Sequence, residues 1–203
     1  MVMKMGLDRK KQFDNNIRTI DEGLAIYSYI NANNKHMDTS ILLREQFLMI
    51  LSAFDTYLHG VVEDTIVSKA FDKVNPDVND FDVSLSVVKQ ILLTPDDSIK
   101  TALLRNHVRM RLEKYSFQAP RSVEFALKHL DIKHGWQSIG RIIGMTPIDV
   151  RNTLSLCVRR RNKIAHESDW NPVTMTYDVI SKQDVIACRD FIVKVIDAVD
   201  SII

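Results

Sequence analysis

The fold class this sequence predicts is all-α, and three observations predict it. Six Gly and five Pro in 203 residues are few for a turn-rich all-β chain. Between the prolines the apolar residues recur at helical spacing, with little sustained strand-type alternation. The composition, 45% apolar and 26% charged, is that of a globular chain able to bury a core. At this length a single domain over residues 1–203 is expected.

Each element has its own signal. Residues 9–31 read as a first helix, with Phe13, Ile17, Ile20, Leu24 and Tyr27 on one face. Residues 40–70 read as a long second helix of roughly 45 Å at 1.5 Å per residue. Its stripe is Leu43, Phe47, Ile50, Phe54, Tyr57 or Leu58, and Val61. A polar connection follows at 71–82, then shorter helices at about 83–93, 97–115, 121–130 and 135–143. Thr146-Pro147-Ile148-Asp149 is a helix start: Thr146 suits the N-cap, Pro147 the first turn, and Asp149 the positive end of the dipole. That helix runs from 147 to about 167, ending before Trp170-Asn171-Pro172. A final amphipathic helix over about 181–202 carries Val185, Cys188, Ile192, Val195, Ile196 and Val199.

Several function classes drop out. Cys157 and Cys188 cannot make a disulfide framework or a zinc site. The first ten residues lack the apolar stretch of a secretory signal and no 18 apolar residues run together, so a reduced, cytoplasmic setting away from membranes is expected. His129, Asp131 and His134 lack a completing ligand and read as solvated loop residues, so neither metal nor cofactor is expected. Gly140 and Gly144 follow no strand and make no phosphate loop. Cys157 sits on an apolar arc, which favours packing over a nucleophile role.

The net charge of +1 hides an asymmetry. Residues 1–98 hold 10 Lys/Arg against 15 Asp/Glu, whereas 99–163 hold 14 against 4. A local excess of ten positive charges permits a phosphate-facing surface, because each neutralised phosphate releases counterions. Within it, Arg105, His107, Arg109 and Arg111 alternate, so on a helix they spread over solvated faces. Aromatic residues are sparse there, which argues against a base-stacking platform.

The informative stretch is Arg159-Arg160-Arg161-Asn162-Lys163-Ile164-Ala165-His166-Glu167. On a helix, Leu154, Cys157, Val158, Ile164 and Ala165 fill one apolar arc with Arg161 in its middle, while Ser155, Arg159, Asn162 and His166 cluster on the polar flank. A guanidinium pointing coreward needs a carboxylate, a phosphate or a hydrated crevice. A carboxylate from the second helix would serve, and His166 near a helix end would serve as a cap. Chemistry is the other reading: imidazole takes and gives protons near neutrality, and arginine clamps non-bridging phosphate oxygens. Arg161 and His166 stand about 140° apart around the helix, so they converge only from two sides of a ligand or from two subunits.

The run Arg161-Asn162-Lys163-Ile164-Ala165-His166 resembles the Arg-x4-6-His motif of HEPN domains. The longer string Arg160 to Asp169 is most similar to the RiboL-PSP-HEPN subgroup, which tends to read Arg-Arg-Asn-x-Ile-x-His-Glu-x-Asp. Ser168 stands where that pattern usually has Gly or Ala. Asp55-Thr56-Tyr57-Leu58-His59 resembles the subgroup's Asp-x-Tyr-x-His pattern, and Ser116-Phe117-Gln118-Ala119-Pro120, followed by a helix and Trp136, its middle region. The resemblance covers about residues 40–200.

The resemblance implies a helical bundle whose homodimer brings two Arg/His motifs into one cleft. It implies a metal-independent endoribonuclease of toxin–antitoxin or antiviral defence systems, with RNA as substrate and an antitoxin or defence protein as partner. His166 is then the acid or base, Arg161 the phosphate clamp, and Asn162 a positioning group. Asp55, His59 and Glu167 support the site, and Arg159, Arg160 and Lys163 contact RNA. The alternative is a non-catalytic HEPN-like module binding RNA, nucleotide or a partner protein.

Overall fold

The computed structural model describes residues 5–72 and 81–203. Residues 73–80 of the expected polar connection and residues 1–4 of the N-terminal reading lie outside them. The described residues form α1 (Met5–Asn33), α2 (Ser40–Ala70), α3 (Leu85–Leu93), α4 (Asp97–Leu112), α5 (Pro120–His129), α6 (Gly135–Ile143), α7 (Pro147–Glu167) and α8 (Lys182–Ile202). Between α7 and α8 the chain folds a two-residue hairpin, β1 (Trp170–Asn171) and β2 (Thr176–Tyr177). All eight helices follow the apolar periodicity; the hairpin is additional. Its strands are too short to show alternation.

The centre of the bundle is α2, which packs against α1, α4, α5, α7 and α8. Its stripe of Leu43, Phe47, Ile50, Phe54, Tyr57, Leu58 and Val61 is buried throughout. Each such side chain contributes about 1.5–3 kcal/mol when removed from water. From α1 come Phe13, Ile20 and Leu24, and from α8 Val185, Cys188, Ile192, Val195, Ile196 and Val199. Polar bonds fix the ends: Tyr57 Oη donates to Asp200 at 2.7 Å, and Ser181 and Asp184 form a capping box that starts α8.

Of the alternating arginines of α4, Arg109 and Arg111 are exposed as expected, but their charges are not all left to solvent. Arg105 and Arg109 turn onto α2, where Glu63 and Asp64 are buried. Arg105 Nη1 lies 2.9 Å from Glu63 Oε1 and also pairs with Asp64. Arg109 Nη2 lies 3.0 Å from Glu63 Oε1. Arg9 of α1 completes the group, its Nε 2.9 Å from Asp64 Oδ2. It crosses α2 at Gly60, where a Cβ would stand 2.7 Å from the Arg9 Cδ. Burial alone would raise both carboxyls, but the guanidiniums more than offset it and hold them below the ordinary range. Two helices are thus ionically pinned to the central one.

Candidate functional site

The helix that carries the motif starts as its sequence demands. Thr146 Oγ1 accepts from the Asp149 N–H at 3.1 Å, and Pro147 fills the first turn. Its inner line is Val150, Leu154, Cys157, Val158 and Ile164. Ala165, expected on that arc, is exposed in the last turn of the helix. The free thiols of Cys157 and, on α8, Cys188 interact, which lowers Cys157 and raises Cys188 from the usual thiol range. Both line a largely apolar cleft of about 540 Å³ beside Leu156 and Val179, in which Arg160 is already paired with Asp169.

Arg161 is half-buried on the core-facing side, and its Nη1 donates to Asn162 Oδ1 at 3.1 Å. Among the described residues it makes no ion pair. Asp55 of α2 feels its charge, yet that carboxylate is otherwise occupied. Its Oδ1 accepts from the Phe117 N–H at 2.5 Å and lies 3.7 Å from His59 Nε2, and the Gln118 side chain also bonds to it. Burial pushes the Asp55 carboxyl up, against the opposing pull of His59, the Phe117 N–H and Arg161. The second-helix carboxylate expected near Arg161 is present, as a field rather than a closed bridge.

His59 is held from two sides. Its Nε2 lies 3.1 Å from the Tyr115 carbonyl, and its ring packs on Phe117 with centroids 4.5 Å apart. Asp55 and His59 together therefore anchor the connection between α4 and α5 to α2. His129 departs from expectation as well. It is buried, its Nδ1 lies 2.9 Å from the Phe125 carbonyl, and its ring leans on Phe125 at 4.1 Å. Gly144, with φ at +72°, ends α6 in a left-handed turn.

His166 occupies the last turn of α7, exposed and with no hydrogen bond among the described residues. Asn162, Arg159 and Glu167 are exposed beside it, Arg159 Nε reaching only the Ser155 carbonyl at 3.4 Å. The other two cations expected on RNA are engaged within the chain. Arg160 Nη2 donates to Asp169 Oδ2 at 2.7 Å and to the Val179 carbonyl at 3.0 Å, and Lys163 pairs with Asp178.

Sequence reasoning missed the partner of that cluster. Arg44 is buried on α2 between Leu43 and Phe47, and its Nε donates to the same Asp169 Oδ2 at 2.9 Å. Its Nη2 bonds the Asp178 carbonyl at 2.7 Å, its Nη1 bonds Ser40 Oγ at 2.6 Å, and its guanidinium lies over the Tyr177 ring at 5.4 Å. The available signal was a lone arginine in an otherwise apolar stripe.

Among the described residues no group of three or more His, Cys, Asp or Glu could hold a metal ion. Nor is any described helix long and apolar enough to cross a membrane. A family model described as RiboL-PSP-HEPN matches residues 14–203. No curated protein and no solved structure matches the chain.

Proposed function

Because the chain belongs to the RiboL-PSP-HEPN family, which supports a nuclease or RNA-related role in general, we propose that it is an endoribonuclease acting without metal through Arg161 and His166. The observation that supports this most is the state of the motif. Arg44, Arg105, Arg109, Arg160 and Lys163 all pair with carboxylates, whereas Arg161 makes no ion pair among the described residues and His166 stands open to solvent.

In the proposed reaction the ribose 2′-hydroxyl attacks the adjacent phosphorus while one imidazole takes its proton. The bond from phosphorus to the 5′-oxygen breaks, and water protonates that leaving oxygen. The products are a 2′,3′-cyclic phosphate and a 5′-hydroxyl. Arg161 neutralises the charge that builds on the non-bridging oxygens, and Asn162 steers the Arg161 fork it already bonds. One helix presents Arg161 and His166 about 140° apart, so the proposal includes a homodimer in which the second copy supplies the missing face. Single-stranded RNA or loops are the substrate class, since only there can the ribose align for in-line attack. The resemblance extends the proposal to a toxin or antiviral-defence effector restrained by a partner protein.

The test is cleavage of single-stranded RNA in excess EDTA. The wild type should cut and leave cyclic phosphate ends, while Arg161→Ala and His166→Ala should be inactive yet folded. A requirement for added metal, cutting by either variant, or RNA binding without cutting would each overturn the assignment.

A further inference from the structure

The end of the motif helix is held by more than its own cap. Ser168 and Asp169 are consecutive left-handed residues, with φ at 52° and 60°, and the Asp169 N–H donates to the Lys163 carbonyl at 3.0 Å. This closes the turn that bears His166. The Asp169 side chain is fully buried, and its Oδ2 accepts from both Arg160 Nη2, at 2.7 Å, and Arg44 Nε, at 2.9 Å. Among the described residues no donor reaches Oδ1. The Asp178 N–H donates to the Asp169 carbonyl at 2.8 Å, and Arg44 Nη2 and Arg160 Nη2 grip the carbonyls of Asp178 and Val179.

A carboxylate removed from water and shared by two guanidiniums is costly to assemble and fixes geometry once assembled. We propose that the Arg44–Asp169–Arg160 cluster is a positioning device for the reaction, locking the last turn of α7 to α2 so that His166 is held in register with Arg161. The proposal rests on the ribonuclease reading and adds three positioning residues to it. The logic is one of common reference. Arg44 stands eleven residues before Asp55 on the same helix, and Asp55 lies within the field of Arg161. Both halves of the motif are therefore indexed to α2. The hairpin between α7 and α8 acts as the strap that carries the second set of contacts.

Asp169→Asn keeps an oxygen that both arginines can reach but removes the charge that holds them together. Its kcat for RNA cleavage should fall at least about tenfold with KM changed by less than about threefold, as expected when a catalytic group is displaced by a fraction of an ångström. The helical circular dichroism should match the wild type, and the single His166 13Cε1 resonance should shift or broaden. Arg44→Lys retains the charge but cannot hold Ser40, Asp169 and the Asp178 carbonyl at once, so it should show the same split to a smaller degree. It carries the test alone if Asp169→Asn does not fold. A folded variant with wild-type kcat and an unmoved His166 resonance overturns the proposal, as does a loss of kcat matched by a proportional rise in KM. If the wild type cuts no RNA, the ribonuclease reading fails by itself, and the His166 resonance still decides whether the cluster positions that ring.

Discussion

Among single residues, the motif is set apart by which polar side chains are spent and which are left available. Arg161 and Arg160 are neighbours in sequence, but Arg160 is consumed by Asp169 while Arg161, among the described residues, bonds only Asn162. Removing a positioned acid–base group costs about 10²–10⁴-fold in rate, so His166→Ala should lower cleavage by at least that range, read from initial rates. Asn162→Ala should weaken cleavage less, because it acts through Arg161; about tenfold is expected from loss of one orienting hydrogen bond. Ser168 stands where the family pattern favours Gly or Ala, and its φ of 52° supplies a physical reason for Gly. Ser168→Gly should relieve about 1 kcal/mol of backbone strain and raise the melting temperature by about 2–4 °C in a thermal melt.

Among the elements, what was legible in the sequence was whatever one helix declares by itself. The stripe on α2, the Thr146-Pro147 start of α7 and the apolar face of α8 were all readable, because periodicity and caps are local. Pairings between helices were not. Arg105 and Arg109 looked like solvated charges until Glu63 and Asp64 were found beneath them, and Arg44 was hidden in an apolar stripe whose partner lies 125 residues away. The hairpin escaped because two-residue strands carry no period. In the site, the motif residues were readable from their string, whereas the commitment of Arg160 and Lys163 to Asp169 and Asp178 depends on how the chain returns after α7. The α1–α2–α4 cluster gives a prediction of its own. Glu63→Gln removes the charge that three arginines share and should cost about 2 kcal/mol, seen as a lower midpoint in urea. Glu63 and Asp64 have folded-state carboxyls held below the ordinary range, so their stabilisation is present above the unfolded carboxylate value near pH 4 and is lost as pH falls through the lower folded values. Asp55 is shifted the other way, so its ionisation opposes folding as pH rises. A melting temperature that fails to drop between about pH 4 and pH 2 would contradict the pinning described for this cluster.

For the whole molecule, the question is how one chain can use two groups that its own helix turns apart. The proposed answer is a second copy, with the Arg161 of one protomer working beside the His166 of its partner. Mixing the two inactive variants tests this directly. When Arg161→Ala and His166→Ala chains are refolded together, random pairing makes about half the dimers mixed, and each mixed dimer regains one of two cross-chain pairs. The account predicts that the mixture recovers about a quarter of wild-type RNA cleavage although neither variant cuts alone. A mixture in which mixed dimers form, as seen by native mass spectrometry, yet RNA stays intact would contradict it.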